Sequence, residues 1–348
     1  MPEHIYKDVT DFEHNDYNMN SVGTGPYKLV DYQSGSYLKF EANENYYKGE
    51  PSIKNVVFQI IENADTAILA LQNGEVDAYQ MTPQQVKKLD LDASNLSTYS
   101  YSEGRVGYLE INCNRVTDEK VRKALLYAMD RKAMDDAAFE SSEYYSIPYT
   151  FLPTNSQFYT EDGVEKYEQD VDKAKSMLED AGVRGLKLKL GYMSSDAVQS
   201  AQALLIQEQL KEVGVTVELA GGDGTAIANA MKDPDNEYDM YLGGYIMGID
   251  PDTFSSLFEN DGAYNYMHYS GYDTIDQLFE EGRSELDESA RKETYAKLQA
   301  AVQDTGAFYP IISNNKILVV NNRIQGVEDA GLVPVYTFED TSSLKIAE

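Results

Sequence analysis

A chain of 348 residues with 42% apolar and 25% charged residues has enough length for two domains with sizeable cores, and its composition excludes disorder. Its 59 acidic and 29 basic residues give a formal net charge of -30, a field that repels phosphate backbones and anionic lipid head groups and so excludes nucleic acid as a main partner. The one cysteine, Cys113, excludes an internal disulfide or a multi-cysteine metal site, and the sequence holds no apolar run of the length, about eighteen residues, that spans a membrane.

Residues 1–20 are polar and irregular, and Met1-Pro-Glu-His-Ile-Tyr6 lacks the basic and apolar regions of a signal peptide. A glycine-rich turn, Val22-Gly-Thr-Gly-Pro-Tyr27, leads into strand-like runs at 27–32 and 37–41, a loop at 43–51 and a dense β run at 56–61. Ala67, Leu69, Ala70 and Leu71 predict a helix over 65–73 that Gly74 closes. A short strand at 76–81 follows. Thr82, with Pro83 behind it and Gln85 three residues on, forms a capping box. Residues 105–112 read as a strand. Residues 117–139 read as a helical region with Val121, Leu125, Ala128 and Met129 on one stripe, and 141–158 as irregular.

Helix and strand then alternate. A helix at 170–181 ends at Gly182, and Leu186, Leu188 and Leu190 mark a strand. A helix at 197–213 ends at Gly214, a strand covers 215–219, and a helix at 225–232 leads to a strand opening at Tyr238. This β-α-β-α-β order predicts a parallel sheet. Residues 273–306 are helical with a break near Leu286-Asp287, residues 307–320 are strand-like, and the tail is irregular.

The segment from Tyr238 to Asp252 concentrates the functional signal. It runs as a strand to Gly243-Gly244, where the backbone is free to bend or to approach another group closely, and then opens into the Asp250-Pro251-Asp252 turn with a helix start at Thr253. Ligands of open α/β sheets bind beyond the carboxyl ends of the strands, so residues 245–250 are a candidate binding wall; a structural turn is the alternative. The 28 tyrosines and absence of tryptophan fit either wet binding surfaces or strand composition.

Catalytic signatures are missing. His4, His14 and His268 are too scattered for a local metal pair, and no phosphate loop, His-x-x-x-His or Gly-x-Ser-x-Gly occurs. The run from Asp233 to Asp239 starts like a calcium loop but has Tyr238 at its sixth position and Gly244 at its twelfth. Gly221-Gly-Asp-Gly224 reads as a turn. Asp250 and Asp252 leave a carboxylate-dependent glycosidase as the enzymatic alternative.

These residues also fall into a recognisable order. Gly23-Thr-Gly-Pro-Tyr27, Tyr46-Tyr47 and Gly49 resemble the "GTGPY…N..YY.G" segment of the oligopeptide- and dipeptide-binding proteins of ABC importers, solute-binding family 5. Leu71-Gln-Asn-Gly-Glu-Val-Asp77 resembles the family's "L..GEID". Tyr108-Leu-Glu-Ile-Asn112 with Asp118-Glu-Lys-Val-Arg-Lys-Ala-Leu-Leu-Tyr-Ala-Met-Asp-Arg131 resembles "N…P..D.RVR.AL..AIDR". The stretch from Ala174 to Gly182 resembles "A..LL.EAG", and that from Gly243 to Pro251 resembles "GGW..G.DP" with Tyr245 in place of tryptophan. Pro310 lies where the chain returns to the first lobe.

The resemblance implies an α/β, periplasmic-binding-protein-like fold with two lobes, mixed sheets and flanking helices, here an N-terminally truncated fragment. Lobe one would take residues 1–105 and 313–348, and lobe two residues 106–312. It implies an extracytoplasmic, monomeric component that captures oligopeptides between its lobes and hands them to a membrane permease. The full-length protein would be lipid-anchored on the extracellular face of the membrane, or periplasmic. No cofactor, metal or nucleic acid is expected. Tyr108, Tyr245 and Tyr266 would line side-chain pockets, Ser313 and Asn314 would supply polar contacts, and Asn112 joins them at the end of its motif. Gly248 aligns with an aspartate that pairs with the ligand's amino group in several peptide binders, which leaves Asp250 as the substitute anchor and raises the standing of ligands without a free amine. A sugar or metal chelate bound by the same fold is the alternative ligand, and a surface scaffold without a small ligand is a further reading.

Overall fold

The computed structural model describes residues 2–12, 14–18, 22–91, 95–139, 141–246, 250–269, 271, 273–334 and 336–347. The chain divides into two compact units, Met1–Tyr101 with Lys316–Glu348, and Ser102–Asn315.

In the first unit, the strands Tyr27–Gln33, Tyr37–Ala42 and Asn55–Gln59 form an antiparallel sheet in which Phe40 faces Leu29 on one side and Val56 on the other. The helix Ala64–Gln72 starts where the Asn63 side chain accepts a hydrogen bond from the Thr66 N–H, and it ends before Gly74, whose φ of +72° suits the turn. The capping box is present: Thr82 Oγ1 accepts from the Gln85 N–H and Gln85 Oε1 accepts from the Thr82 N–H. The strand Ala78–Met81 pairs with residues 317–320, and Tyr101, Leu318, Val320 and Val327 form a small core. The tail, read as irregular, contains two short strand pairs, Ile324–Gln325 with Lys345–Ile346 and Leu332–Val333 with Thr337–Phe338.

The second unit is built on a mixed sheet. Lys187–Met193 pairs in parallel with both Thr216–Gly222 and Met240–Ile246, as the alternating pattern predicts. Met240–Ile246 then pairs antiparallel with Arg105–Ile111, which pairs antiparallel with residues 308–312. Side chains alternate across the central strands, and each face meets its own core. Leu109, Ile111, Met240, Leu242 and Tyr309 pack with residues of the helices Glu119–Tyr127, Arg131–Ala138, Val171–Asp180 and Ala197–Glu212. Val106, Tyr108 and Phe308 pack on the other face with Phe151, Phe254, Phe258, Phe279 and Tyr295. Phe308 lies at the centre of this aromatic core, with ring centroids 4.7 Å from Tyr108 and 5.0 Å from Phe258.

The region expected as one helix over 117–139 is two. Asp118 caps the first, and Asp130 adopts an extended backbone so that its side chain caps the second at the Ala133 N–H. The apolar stripe continues across the joint, but the capping aspartate stops the backbone ladder. Asp287 does the same at the expected break between Asp273–Ser284 and Glu288–Asp304. The start expected at Thr253 moves upstream: Asp250 caps a short 3₁₀ turn, Pro251–Phe254, that runs into Ser255–Phe258.

Two arginines of the segment from Asp118 to Arg131 are buried. The Arg122 guanidinium donates to the carbonyls of Thr305, Val116 and Thr117. That of Arg131 donates to the carbonyls of Pro310 and Tyr167 and stacks 3.8 Å from the Tyr309 ring centroid. Asp135 is fully buried beside Gln202, and neither of its oxygens closes a hydrogen bond, so burial pushes its carboxyl up to about 8.

Two outcomes follow for stability. Phe308→Ala should cost about 3–5 kcal/mol in urea unfolding, the range for emptying a buried aromatic site. The folded state holds the Asp135 proton more tightly than the unfolded chain does, so this group's contribution to stability falls as pH rises from about 4 to about 8. Asp135→Asn should therefore raise the melting temperature, with a gain over wild type that is larger at pH 8 than at pH 5; a gain that does not change with pH would contradict the assignment.

Candidate functional site

The glycine pair acts by close approach. A Cβ on Gly243 would lie 2.6 Å from Tyr108 Cε2, and one on Gly244 would lie 1.9 Å from Arg105 Nη2. The missing side chains let Tyr108 lie across one face of the strand and Arg105 across the other.

Around Tyr108 the structure gathers tyrosines. Tyr245 and Tyr264 have ring centroids 5.7 Å apart, Tyr264 and Tyr266 6.5 Å, and Tyr266 and Tyr241 5.8 Å. The Tyr245 hydroxyl also shares a hydrogen bond of 3.0 Å with Ser256 Oγ. Tyr264 is 42% exposed, so the group opens to solvent at that ring, while Tyr108 and Tyr266 are buried. Three of these tyrosines are among those singled out from the sequence. Tyr241 and Tyr264 were not, although Tyr241 shares the strand face of Gly243 and Tyr245, a signal the two-residue period carries.

Beneath the tyrosines lies Glu110, opposite Tyr241 in the strand register and fully buried. Neither of its oxygens meets a hydrogen-bond donor, and burial raises its pKa well above the carboxylate range. The Tyr241 hydroxyl rises to about 12, first through burial and then through Glu110, with Arg105 opposing. Asn112 sits two residues further along the same face. Its Oδ1 accepts from the Asn114 N–H at 3.0 Å, while its buried Nδ2 has no partner. Glu110 carries no sequence signal because its neighbours in space come from distant strands. Next in the chain, Cys113 donates its N–H to the Met267 carbonyl at 2.7 Å, and burial pushes its thiol up to about 11.

The other expected residues have different surroundings. Asp250 caps the turn at the Asp252 N–H, and both its oxygens lie 2.8 Å from Arg291 Nη2. Its charge is thus matched within the chain, which argues against its serving as the anchor for a ligand amine. Asp252 is paired with Arg283 at 3.0 Å, so the charges of both aspartates are taken up by arginines of the chain. Ser313 is buried opposite Ser146, while Asn314 donates from Nδ2 to Glu103 Oε2 and accepts at its carbonyl from the Glu103 N–H. Gly248 lies outside the described residues.

Among the described residues, no group of three histidine, cysteine or acidic side chains is placed to hold a metal ion, and no helix is long and apolar enough to cross a membrane. His268 uses Nε2 to meet the Met231 carbonyl at 2.9 Å, and His14 pairs with Asp11.

Comparison with known proteins places this geometry. The model for "Bacterial extracellular solute-binding proteins, family 5 Middle" matches residues 1–266. The chain is similar to the oligopeptide-binding protein AppA of Bacillus subtilis, 27% identical over 352 residues that cover 92% of this chain and 63% of that protein. It is also similar to the dipeptide-binding protein of Escherichia coli, 26% identical over 320 residues that cover 89% and 59%. It therefore spans less than two thirds of the length of these curated relatives. Among solved structures, the ABC transporter substrate-binding protein CtaP of Listeria monocytogenes superposes with a TM-score of 0.92 at 38% identity, over 100% of this chain and 72% of that one. The α/β fold with mixed sheets and flanking helices is thus of the periplasmic-binding-protein type, and the chain belongs to the bacterial extracellular solute-binding proteins of family 5.

Proposed function

We propose that the chain captures short peptides as the substrate-binding component of an ABC importer. The observation that carries this reading is the group of tyrosines at Tyr108, Tyr241, Tyr245, Tyr264 and Tyr266, which runs along the strand Met240–Ile246 and reaches its carboxyl end at Tyr245. Tyrosine walls present flat apolar area with polar tips, which tolerates varied side chains, while main-chain hydrogen bonds give affinity to an extended peptide without demanding a sequence. The oligopeptide- and dipeptide-binding names of the relatives support peptides as the ligand class.

In this reading lobe two is drawn from residues 106–312 and lobe one from 1–105 and 313–348; the division of the chain into compact units near residues 101 and 315 supports it. The component works as a monomer outside the cytoplasm, lipid-anchored or periplasmic, without a cofactor, and delivers its ligand to a permease. It is a carrier and not an enzyme, consistent with the ion pairs that occupy Asp250 and Asp252. Tyr245, Tyr266 and Tyr108 line the ligand's side-chain pockets, with Asn112, Ser313 and Asn314 as polar contacts.

Native mass spectrometry of the protein after incubation with mixed tri- to pentapeptides tests this. A spread of peptide adducts is expected, and calorimetry should show Tyr264→Ala weakening them about ten-fold, the scale of one aromatic contact at an interface. Because Tyr264 lies at the exposed edge of the group, the melting temperature should move by only a few degrees. One discrete non-peptide adduct, or peptide affinity unchanged by Tyr264→Ala, would overturn the reading.

A further inference from the structure

Arg105 opens the strand Arg105–Ile111 and sits opposite Ile246, at the carboxyl end of the parallel strands. Its guanidinium lies over two glycines. A Cβ on Gly244 would fall 1.9 Å from Nη2, and one on Gly107 would fall 3.3 Å from Nη1. Any larger residue at Gly244 would evict the guanidinium, so the glycines form a seat fitted to it. Ile246, 43% exposed, supplies an apolar neighbour.

What this cation lacks is an acceptor. Among the described residues Arg105 forms no hydrogen bond and no ion pair, although its side chain is half-buried. Arg115, Arg122, Arg131, Arg283 and Arg291 of the same unit meet carboxylates or carbonyls, and Arg184 is exposed to solvent. With 59 acidic residues in the chain, a carboxylate partner was available to selection at many positions. A half-buried guanidinium without a protein acceptor keeps its donors available, and an incoming anion can take them in charge-assisted hydrogen bonds.

The net charge narrows the class of anion. A field from -30 charges repels anions at long range, so one bound here must be held at contact by a fixed cation. A doubly charged phosphate meets that field twice over. A carboxylate carries one charge and matches the planar donor fork of guanidinium with two parallel hydrogen bonds.

We propose that Arg105 is a ligand-binding residue that holds a carboxylate of the captured solute, either a peptide's terminal carboxyl group or an acidic side chain. The proposal deepens the peptide-capture reading and rests on it for the class of molecule that bears the carboxylate.

Calorimetry with three probes separates the sources: the tetrapeptide Ala-Ala-Ala-Ala, its C-terminal amide, and the amide Ala-Glu-Ala-Ala. Each is titrated into wild type, Arg105→Gln and Arg105→Lys, with melting curves to confirm that the variants fold. A terminal contact predicts that wild type binds the acid about ten-fold more tightly than its amide; a side-chain contact predicts that preference for the glutamate-bearing amide over the plain one. Either preference should vanish in Arg105→Gln and be partly kept in Arg105→Lys. Gly244→Ala, which displaces the guanidinium without removing its charge, should weaken the same probe. Equal affinities in wild type and Arg105→Gln for both carboxylate-bearing probes would overturn the proposal. If no tetrapeptide binds wild type, the peptide reading fails and a thermal shift with succinate decides on Arg105. Stabilisation of wild type but not of Arg105→Gln would uphold the proposal; any other pattern would sink it.

Discussion

Two buried guanidinium groups that meet backbone carbonyls tie the larger unit together. Arg122 binds the carbonyls of Val116, Thr117 and Thr305, so the entry to the helix Glu119–Tyr127 is held against the end of Glu288–Asp304. Arg131 binds the carbonyls of Pro310 and Tyr167, which fixes the start of the next helix against the strand Phe308–Asn321. A lysine has neither the planar fork nor the weak hydration that lets a guanidinium satisfy several carbonyls in a dry interior.

With the clamps in place, the sheet divides labour between its faces. One is closed by aliphatic side chains under four helices, and the other carries the aromatic core with tyrosines at its rim. Gly107, Gly243 and Gly244 are where this division is made, because each removes a side chain that would collide with Arg105, Tyr108 or Ile312. The same turn that follows them keeps its aspartates occupied. Asp250 caps a helix start and pairs with Arg291, and Asp252 pairs with Arg283, so both aspartates serve to hold the shape of the turn.

Much of the fold was legible because its signals are local. The alternation of Leu186, Leu188 and Leu190, the glycines at 182 and 214 and the helices between them specify a parallel arrangement that needs no long-range information. Asp130 was misjudged because an aspartate within a continuous apolar stripe reads as a solvent-facing helix residue, and only its extended backbone reveals the cap. For the site, Tyr108 and Tyr245 lie in segments that the family resemblance marked, whereas Tyr266 lies outside them. Glu110 and Arg105 could not be named, since burial without a partner and a seat on a glycine of another strand are properties of paired strands, not of neighbouring letters.

Cys113 gives the molecule a further property. Its thiol is largely buried and held in the protonated form at neutral pH, and the thiolate is the species that reacts with oxidants and alkylating reagents. This chain is therefore close to silent toward thiol chemistry while containing sulfur. A cysteine introduced at an exposed position would react almost alone, so paired dyes or spin labels could be placed on the native background and the distances between them followed as solute is added.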